Sequence, residues 1–265
     1  MSEVLVEKRA GYRVLTLNRP DRLNAVNIPL LEALNAALDD AAKDESCRAL
    51  LLTGSGRAFC SGQDLNDRIP KGGQARVVVG ETLQSHYHPA IEKIRALPYP
   101  VVAAVNGVAA GAGCNIALAA DIILAGKSAS FVQAFVRIGL IPDVGGTWIL
   151  PRLVGLARAR GLAMTGEPLP AEKAEQWGLI WKRVEDAALM SEAEKLCAQF
   201  AKAPTYALGL MKRAFDASLG NDLKAQLQIE YESQRSAGAT DDFMEGIRAF
   251  MEKRAPNFTG KKPTE

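Results

Sequence analysis

Histidine is nearly absent from this sequence: there are 2 in 265 residues, His86 and His88. No third His and no nearby Cys or acid completes a metal set with them. Both read as ordinary surface or groove residues, and no metal site is expected. Cysteine is sparse too, with 4 residues at Cys47, Cys60, Cys114 and Cys197. None forms a CxxC pair, so neither a zinc site nor a disulfide framework is expected. Reduced, buried thiols fit a cytoplasmic compartment. A strong charge of one sign is also missing. The 32 Lys and Arg against 30 Asp and Glu leave a net charge of +2, too little to attract a nucleic acid or an anionic membrane. The opening MSEVLVEKRA lacks an apolar h-region, so no signal peptide is expected. One uncharged run, Ala96 to Ala120, is long enough to raise a membrane-span question. Prolines, asparagines and glycines interrupt it and Asp121 ends it, so it reads as a buried strand, a Gly-rich turn and a buried helix.

What is present is a globular α/β pattern. Strands are expected over Tyr12–Leu17, Arg48–Leu52, Val101–Val105 and Ile122–Leu124. Helices are expected over Ile28–Asp40, Gly80–Ala96 and Ala112–Ala119. Past Gly145 the pattern turns helical: Gly146–Leu153, Ala157–Met164, Ala171–Trp177, Asp186–Ala201, Thr205–Leu219, Asp222–Ala237 and Asp241–Lys253. Asp222 and Asp241 read as N-caps or first-turn acids. Residues 1–200 are expected to form the α/β core with the ligand site, and 201–265 a helical region ending in a mobile tail from Ala255 to Glu265.

Three segments could carry chemistry. In the first, Asn106 to Cys114 (NGVAAGAGC), a strand gives way to a helix through small residues. Their backbone N–H groups at a helix N-terminus favour a negative oxygen; close helix–strand packing explains the same residues equally well. The glycine spacing is not a dinucleotide fingerprint. In the second, Arg57 to Leu65 (RAFCSGQDL), turn-formers also follow a strand, and paired loops at strand ends are where open α/β sheets bind ligands. In the third, Ile138 to Gly146 (IGLIPDVGG), Asp143 sits alone in an apolar, Gly-flanked loop. Desolvation there is expected to favour the neutral acid, which suits proton transfer. The competing reading is an N-cap for the helix near Gly146. Phe135 and Trp148 read either as walls of an apolar pocket or as core.

These loops, in this order, resemble the enoyl-CoA hydratase/isomerase (crotonase) superfamily. The resemblance runs through LTLNRPDRLNAVN, LLLTGSGRAFCSGQDL, PVVAAVNGVAAGAGCNIALAADIILA, IGLIPDVGGTWILPRLVG and FMEKRAPNFTGK. Within it, GQDLNDR, FVQAFVRIGLIPDVGGTW and WGLIW are most similar to the branch that isomerises ring-1,2-epoxyphenylacetyl-CoA in phenylacetate catabolism. The resemblance implies a spiral of ββα units, C-terminal helices that mediate trimer contacts, and a homotrimer or a dimer of trimers. It implies an acyl-CoA substrate and no cofactor, coenzyme A being part of the substrate. It also implies an oxyanion hole from the backbone N–H groups of Gln63 and Ala112. Substrate contacts are implied at Arg22, Leu23, Asp64, Leu65, Gly111, Asn115, Phe135, Phe250 and Lys253, the last two in a neighbouring subunit or the same one.

The departures from the family pattern bear on the reaction. The family's hydratases use two glutamates, and their positions here hold Asn115 and Phe135. Several isomerases place an acid where Asp143 stands. The expected activity is therefore acyl-CoA isomerisation through a thioester enolate, with Asp143 as acid and base. It would convert a ring epoxide to an oxepin and shift a 3-enoyl-CoA to a 2-enoyl-CoA. Three alternatives stay open: enoyl-CoA hydration, aroyl-CoA dehalogenation or hydrolysis with Asp143 as nucleophile, and a non-catalytic acyl-CoA- or RNA-binding module. The family's dehalogenases carry Trp where Phe135 stands, which counts against the second.

Overall fold

The computed structural model describes residues 2–68 and 79–263. Two sheets organise the chain. The wider has six strands in the order β1-β2-β3-β5-β7-β10, and the narrower has four in the order β4-β6-β8-β9. The wide sheet contains β1 (Val4–Arg9), β2 (Tyr12–Leu17), β3 (Leu50–Gly54), β5 (Val101–Val105), β7 (Ile122–Gly126) and β10 (Lys182–Val184). The narrow sheet contains β4 (Ala58–Cys60), β6 (Val108–Ala110), β8 (Ser130–Val132) and β9 (Pro168–Pro170). Among the described strands the β1–β2 and β8–β9 pairs are antiparallel and the other pairs parallel.

The helices are α1 (Ile28–Lys43), α2 (Val79–Thr82), α3 (His88–Ala96), α4 (Ala112–Leu118), α5 (Gly146–Val154), α6 (Leu156–Thr165), α7 (Ala171–Gln176), α8 (Leu189–Phe200), α9 (Thr205–Ser218), α10 (Leu223–Gly238) and α11 (Asp241–Met251). After β1, β2 and α1, three successive segments (β3–β4, β5–β6 and β7–β8) each deal one strand to the wide sheet and the next to the narrow sheet before turning helical. This is the ββα spiral that the resemblance implies.

The centre of the wide sheet is apolar on both faces, as a parallel sheet covered on both sides must be. Every residue of β3 and β5 is buried. Side chains alternate with period two. Leu15, Leu50, Leu52, Val101 and Ala103 join Leu30, Leu34 and Leu38 of α1 in the main core. Val14, Leu51, Val102 and Leu124 face the other way, against Leu189, Ala193 and Cys197 of α8.

Several sequence expectations need correction. The helix expected over Gly80–Ala96 is broken by a π-turn at Leu83–Tyr87. Pro89 has no N–H to return to Ser85, and the His88 N–H reaches back to Leu83 O instead. The Asp186–Ala201 helix begins as a 3-10 turn at Asp186–Ala188. The two acids expected as N-caps or first-turn acids divide between those roles: Asp222 caps α10, and Asp241 is an acid in the first turn of α11, which Thr240 caps, its hydroxyl accepting from Phe243 N–H. The tail expected to be mobile is clasped. Asp242, 5% exposed, accepts from Thr259 N–H at 2.6 Å, Thr259 hydroxyl at 3.0 Å and Gly260 N–H at 2.7 Å. Arg48 donates to Phe258 O, Ala203 O and Thr205 Oγ1, joining the core to the tail. Among the described residues no helix is long and apolar enough to cross a membrane, and Ala96–Ala120 holds the expected strand (β5) and helix (α4), with a second short strand, β6, where a Gly-rich turn was expected.

One buried charge makes an acid-sensitivity prediction. Arg13, 2% exposed on β2, pairs with Asp40 at 2.5 Å and Asp44 at 2.6 Å. Hydrogen bonds from Ser46 and then Arg13 hold the Asp44 carboxyl down to about 2. Its unfolded value is about 3.9, so the stability it adds is present above that value and lost as pH falls toward the folded one. Melting temperature measured against pH is expected to fall less steeply through this window in Asp44→Asn than in the unaltered protein. Parallel curves would refute the assignment.

Candidate active site

The candidate residues gather where one edge of the narrow sheet ends. Strands β4, β6 and β8 are adjacent and parallel, so their carboxyl ends lie on one side. Ser61–Leu65 leaves β4, Gly111–Ala112 leaves β6, and Gln133–Asp143 leaves β8. These are the three segments singled out from the sequence. Two of them were referred there to the strands ending at Leu52 and Val105. The short second strands that aim them were not foreseen.

Together the segments line a cavity of about 210 Å³ walled by Ser61, Gly62, Gln63, Leu65, Gly111, Ala112, Ala134, Phe135, Arg137, Ile138, Leu140 and Asp143. That volume exceeds a cavity of about 150 Å³ known to take up benzene. The walls are largely apolar, and Asp143 is the only carboxylate among the described lining residues.

Backbone geometry explains how the first two loops present N–H groups. Gln63 forms an isolated parallel bridge with Val26. Val26 N–H donates to Gly62 O at 2.7 Å, and Asp64 N–H donates to Val26 O at 2.8 Å. In such a bridge the peptide groups flanking Gln63 are used on the Val26 side, so Gln63's own N–H points the opposite way. Ala112 is the first residue of α4, where helical geometry supplies no partner for the N–H. The loops touch through two glycines. A Cβ on Gly62 (φ +96) would stand 2.8 Å from Ala110 O, and one on Gly111 (φ +51) would stand 4.0 Å from Gly62 Cα. At Gly62 no larger residue fits without displacing a backbone, whereas at Gly111 the space is ordinary contact and the positive φ is what disfavours a side chain.

Asp143 is half-buried, at the end of the β8 loop. The N-cap of α5 is Gly145, not Asp143. Beside the acid, Val144 is buried and has φ 53. A β-branched residue rarely adopts this left-handed conformation, and it persists only where the surroundings impose it. Nothing in the sequence announced it.

Other expected site residues are placed as follows. Leu65, Gly111 and Phe135 line the cavity. Asn115 does not: it is 0% exposed and its amide donates to Asp143 O at 2.7 Å, so it reaches the site only through the backbone of Asp143. The Asp64 side chain is turned aside to Arg19 at 3.1 Å and to Asn66. Burial raises its pKa, yet these hydrogen bonds leave the carboxyl below its ordinary range. Leu23 O accepts from Ser61 N–H at 2.9 Å, which docks the Arg22–Leu23 turn on the β4 loop, with Arg22 exposed. Phe250 is not brought to this cavity; it is 82% exposed and lines a separate apolar hollow between α9, α10 and α11. Lys253 follows it past the end of α11 and also lies outside the cavity wall. Trp148 is neither pocket nor core. It is 41% exposed, with the guanidinium groups of Arg152 and Arg95 at 4.2 Å and 5.3 Å from its ring centre.

Two features, one on the wall and one behind it, escaped the sequence reading. On the wall, Arg137 places a cation among largely apolar residues and donates to Gly166 O at 2.7 Å. Gln133, 3% exposed, donates to Asn115 Oδ1 at 2.9 Å. A lone polar residue in the apolar run FVQAF was the available signal. Behind the loops, burial pushes the thiols of Cys60 and Cys114 up to about 12, so neither is a nucleophile at neutral pH.

Comparison with known proteins agrees with this architecture. The Enoyl-CoA hydratase/isomerase family model matches residues 7–261. The chain is 47% identical over 261 residues to the 1,2-epoxyphenylacetyl-CoA isomerase of Escherichia coli K12, covering 98% of this chain and 100% of that one. It is 49% identical over 251 residues to a Rhodobacter capsulatus protein named "Probable enoyl-CoA hydratase", covering 95% of each. The crystal structure of an enoyl-CoA hydratase from Bacillus anthracis superposes with a TM-score of 0.90 at 32% identity, covering 98% of this chain and 100% of that one.

Proposed function

Because the chain belongs to the enoyl-CoA hydratase/isomerase family, we propose that its cavity isomerises an acyl-CoA, with ring-1,2-epoxyphenylacetyl-CoA and 3-enoyl-CoA as substrates. The observation that carries this reading is the single carboxylate on the described wall. Splitting and positioning water by the two-glutamate route needs two acids, and here one of those positions is the sealed Asn115 and the other is Phe135.

The thioester oxygen lies between the Gln63 and Ala112 N–H groups. Asp143, as carboxylate, takes a proton from the carbon next to the thioester. The electron pair moves onto the carbonyl oxygen, and the enolate is held by the two N–H donors. Each such donor is typically worth about 3–4 kcal/mol of barrier. For a 3-enoyl-CoA, Asp143 then returns the proton two carbons further along, and the double bond comes into conjugation. For the ring epoxide, the same donors favour ring opening and expansion to the seven-membered oxepin. Leu65, Phe135, Ile138 and Leu140 give the ring an apolar surround. The reaction is redox-neutral, so it calls for no cofactor beyond the coenzyme A of the substrate. Exposed Leu223 and Leu227 on α10 and Met211 and Phe215 on α9 support subunit contacts through the C-terminal helices.

Turnover on a panel of CoA thioesters (ring epoxide, 3-enoyl, 2-enoyl and halobenzoyl) separates the readings. Isomerisation of the first two is expected, with deuterium entering from solvent next to the thioester during 3-enoyl turnover. Hydration of the 2-enoyl compound as the dominant activity, or halide release, would overturn the proposal.

A further inference from the structure

The backbone that carries Asp143 is gripped from an unexpected direction. Its carbonyl accepts two hydrogen bonds, from Gly146 N–H at 2.8 Å and from Asn115 Nδ2 at 2.7 Å. Asn115 Oδ1 in turn accepts from Gln133 Nε2 at 2.9 Å. The polarity of this chain is forced. A carbonyl oxygen can only accept, so Asn115 must aim its NH₂ at Asp143, which leaves its oxygen for Gln133, and Gln133 must present its NH₂. Gln133 Oε1 is left buried with no hydrogen-bond partner among the described residues. A polar group sealed in this state points to a fixed task for the other end of the same amide.

The packing is as tight as the hydrogen bonding. A Cβ on Gly146 would stand 2.3 Å from Asn115 Nδ2, so the first turn of α5 rests directly on the Asn amide. The carbonyl so held belongs to the peptide group that joins Asp143 to Val144, whose φ of 53 needs outside restraint. Holding that peptide plane anchors the Asp143 Cα and so restrains the direction in which its Cα–Cβ bond leaves the loop.

We propose that Asn115, steadied by Gln133, is a positioning residue for the reaction: it aims the Asp143 carboxyl by holding the Asp143 carbonyl. The proposal rests on the acid–base reading of Asp143 above. Neither amide enters the cavity, so neither touches substrate. Their contribution is to proton transfer, where small errors of placement are costly.

The test uses the full-length protein and 3-enoyl-CoA turnover. Asn115→Ala and Gln133→Met are each expected to lower kcat by about 10- to 100-fold while KM stays within about twofold. Asn115→Asp gives a readout that loose packing does not mimic. Its introduced carboxyl can donate to the Asp143 carbonyl only while protonated, so kcat should gain a limb that falls as pH rises, absent from the parent profile. If Asn115→Ala does not fold, as judged by circular dichroism and melting, the Gln133→Met and Asn115→Asp variants decide. A kcat within about twofold of the parent in the folded variants, or a loss confined to KM, would overturn the proposal. Asp143→Asn is run beside them. If it stays active, the acid–base reading itself fails. If it is silent while the amide variants are fully active, only the positioning role fails.

Discussion

Asp143→Asn is expected to fold normally and to lose isomerase activity by about 10²- to 10⁴-fold in kcat, the range contributed by a well-placed general acid–base. The substitution keeps shape and removes only the ability to accept and return a proton. The Asp143 main chain is held by Gly146 and Asn115 through its carbonyl, and those bonds do not involve the altered side chain. Melting temperature should therefore change little, and substrate KM should stay close to the parent value. No second acid among the described lining residues can take over the transfer. Solvent deuterium exchange next to the thioester should fall in parallel with turnover. Exchange that persists at the parent rate would mean another group removes the proton.

Gly62→Ala is the second large effect, expected to cost about 10²- to 10³-fold in kcat, as loss of one oxyanion donor does. Backbone N–H groups cannot be deleted by ordinary substitution, so a displacement is needed. At Gly62 the new Cβ would lie 2.8 Å from Ala110 O, a backbone atom, and φ is +96. The chain must move at the joint between the β4 and β6 loops, which displaces the two N–H groups, of Gln63 and Ala112, that are proposed to hold the thioester oxygen. Gln63→Ala, which keeps the same N–H, is expected to cost clearly less. Equal losses in the two variants would shift the function of this loop from the backbone to the Gln63 side chain. Melting curves for both separate misplacement from unfolding.

What could be read from the sequence was what depends on local pattern. The apolar runs that became β3, β5 and β7 are buried on both faces, and their composition says so. The amphipathic spacing of α1 did the same, as did the small residues that open α4. The short strands of the narrow sheet were not readable: three residues such as Ala58–Cys60 or Ser130–Val132 carry no period. They exist because the wide sheet brings them side by side. The site followed the same division. Asp143, Gln63 and Ala112 stood out by chemistry and by the family pattern. The role of Asn115 did not, because its partners lie 28 and 18 residues away and are defined by packing. Trp148 misled because an exposed indole between two arginines looks, in sequence, like a buried one.

The Arg48 clasp bears on how the protein is made. Its guanidinium waits on partners 155, 157 and 210 residues downstream. During translation at about 5–20 residues per second, the segments that build both sheets have left the ribosome well before Phe258 emerges. Closing the clasp therefore follows the synthesis of every strand of both sheets, and until then the nascent chain carries α9 with one of its ties to the core unmade.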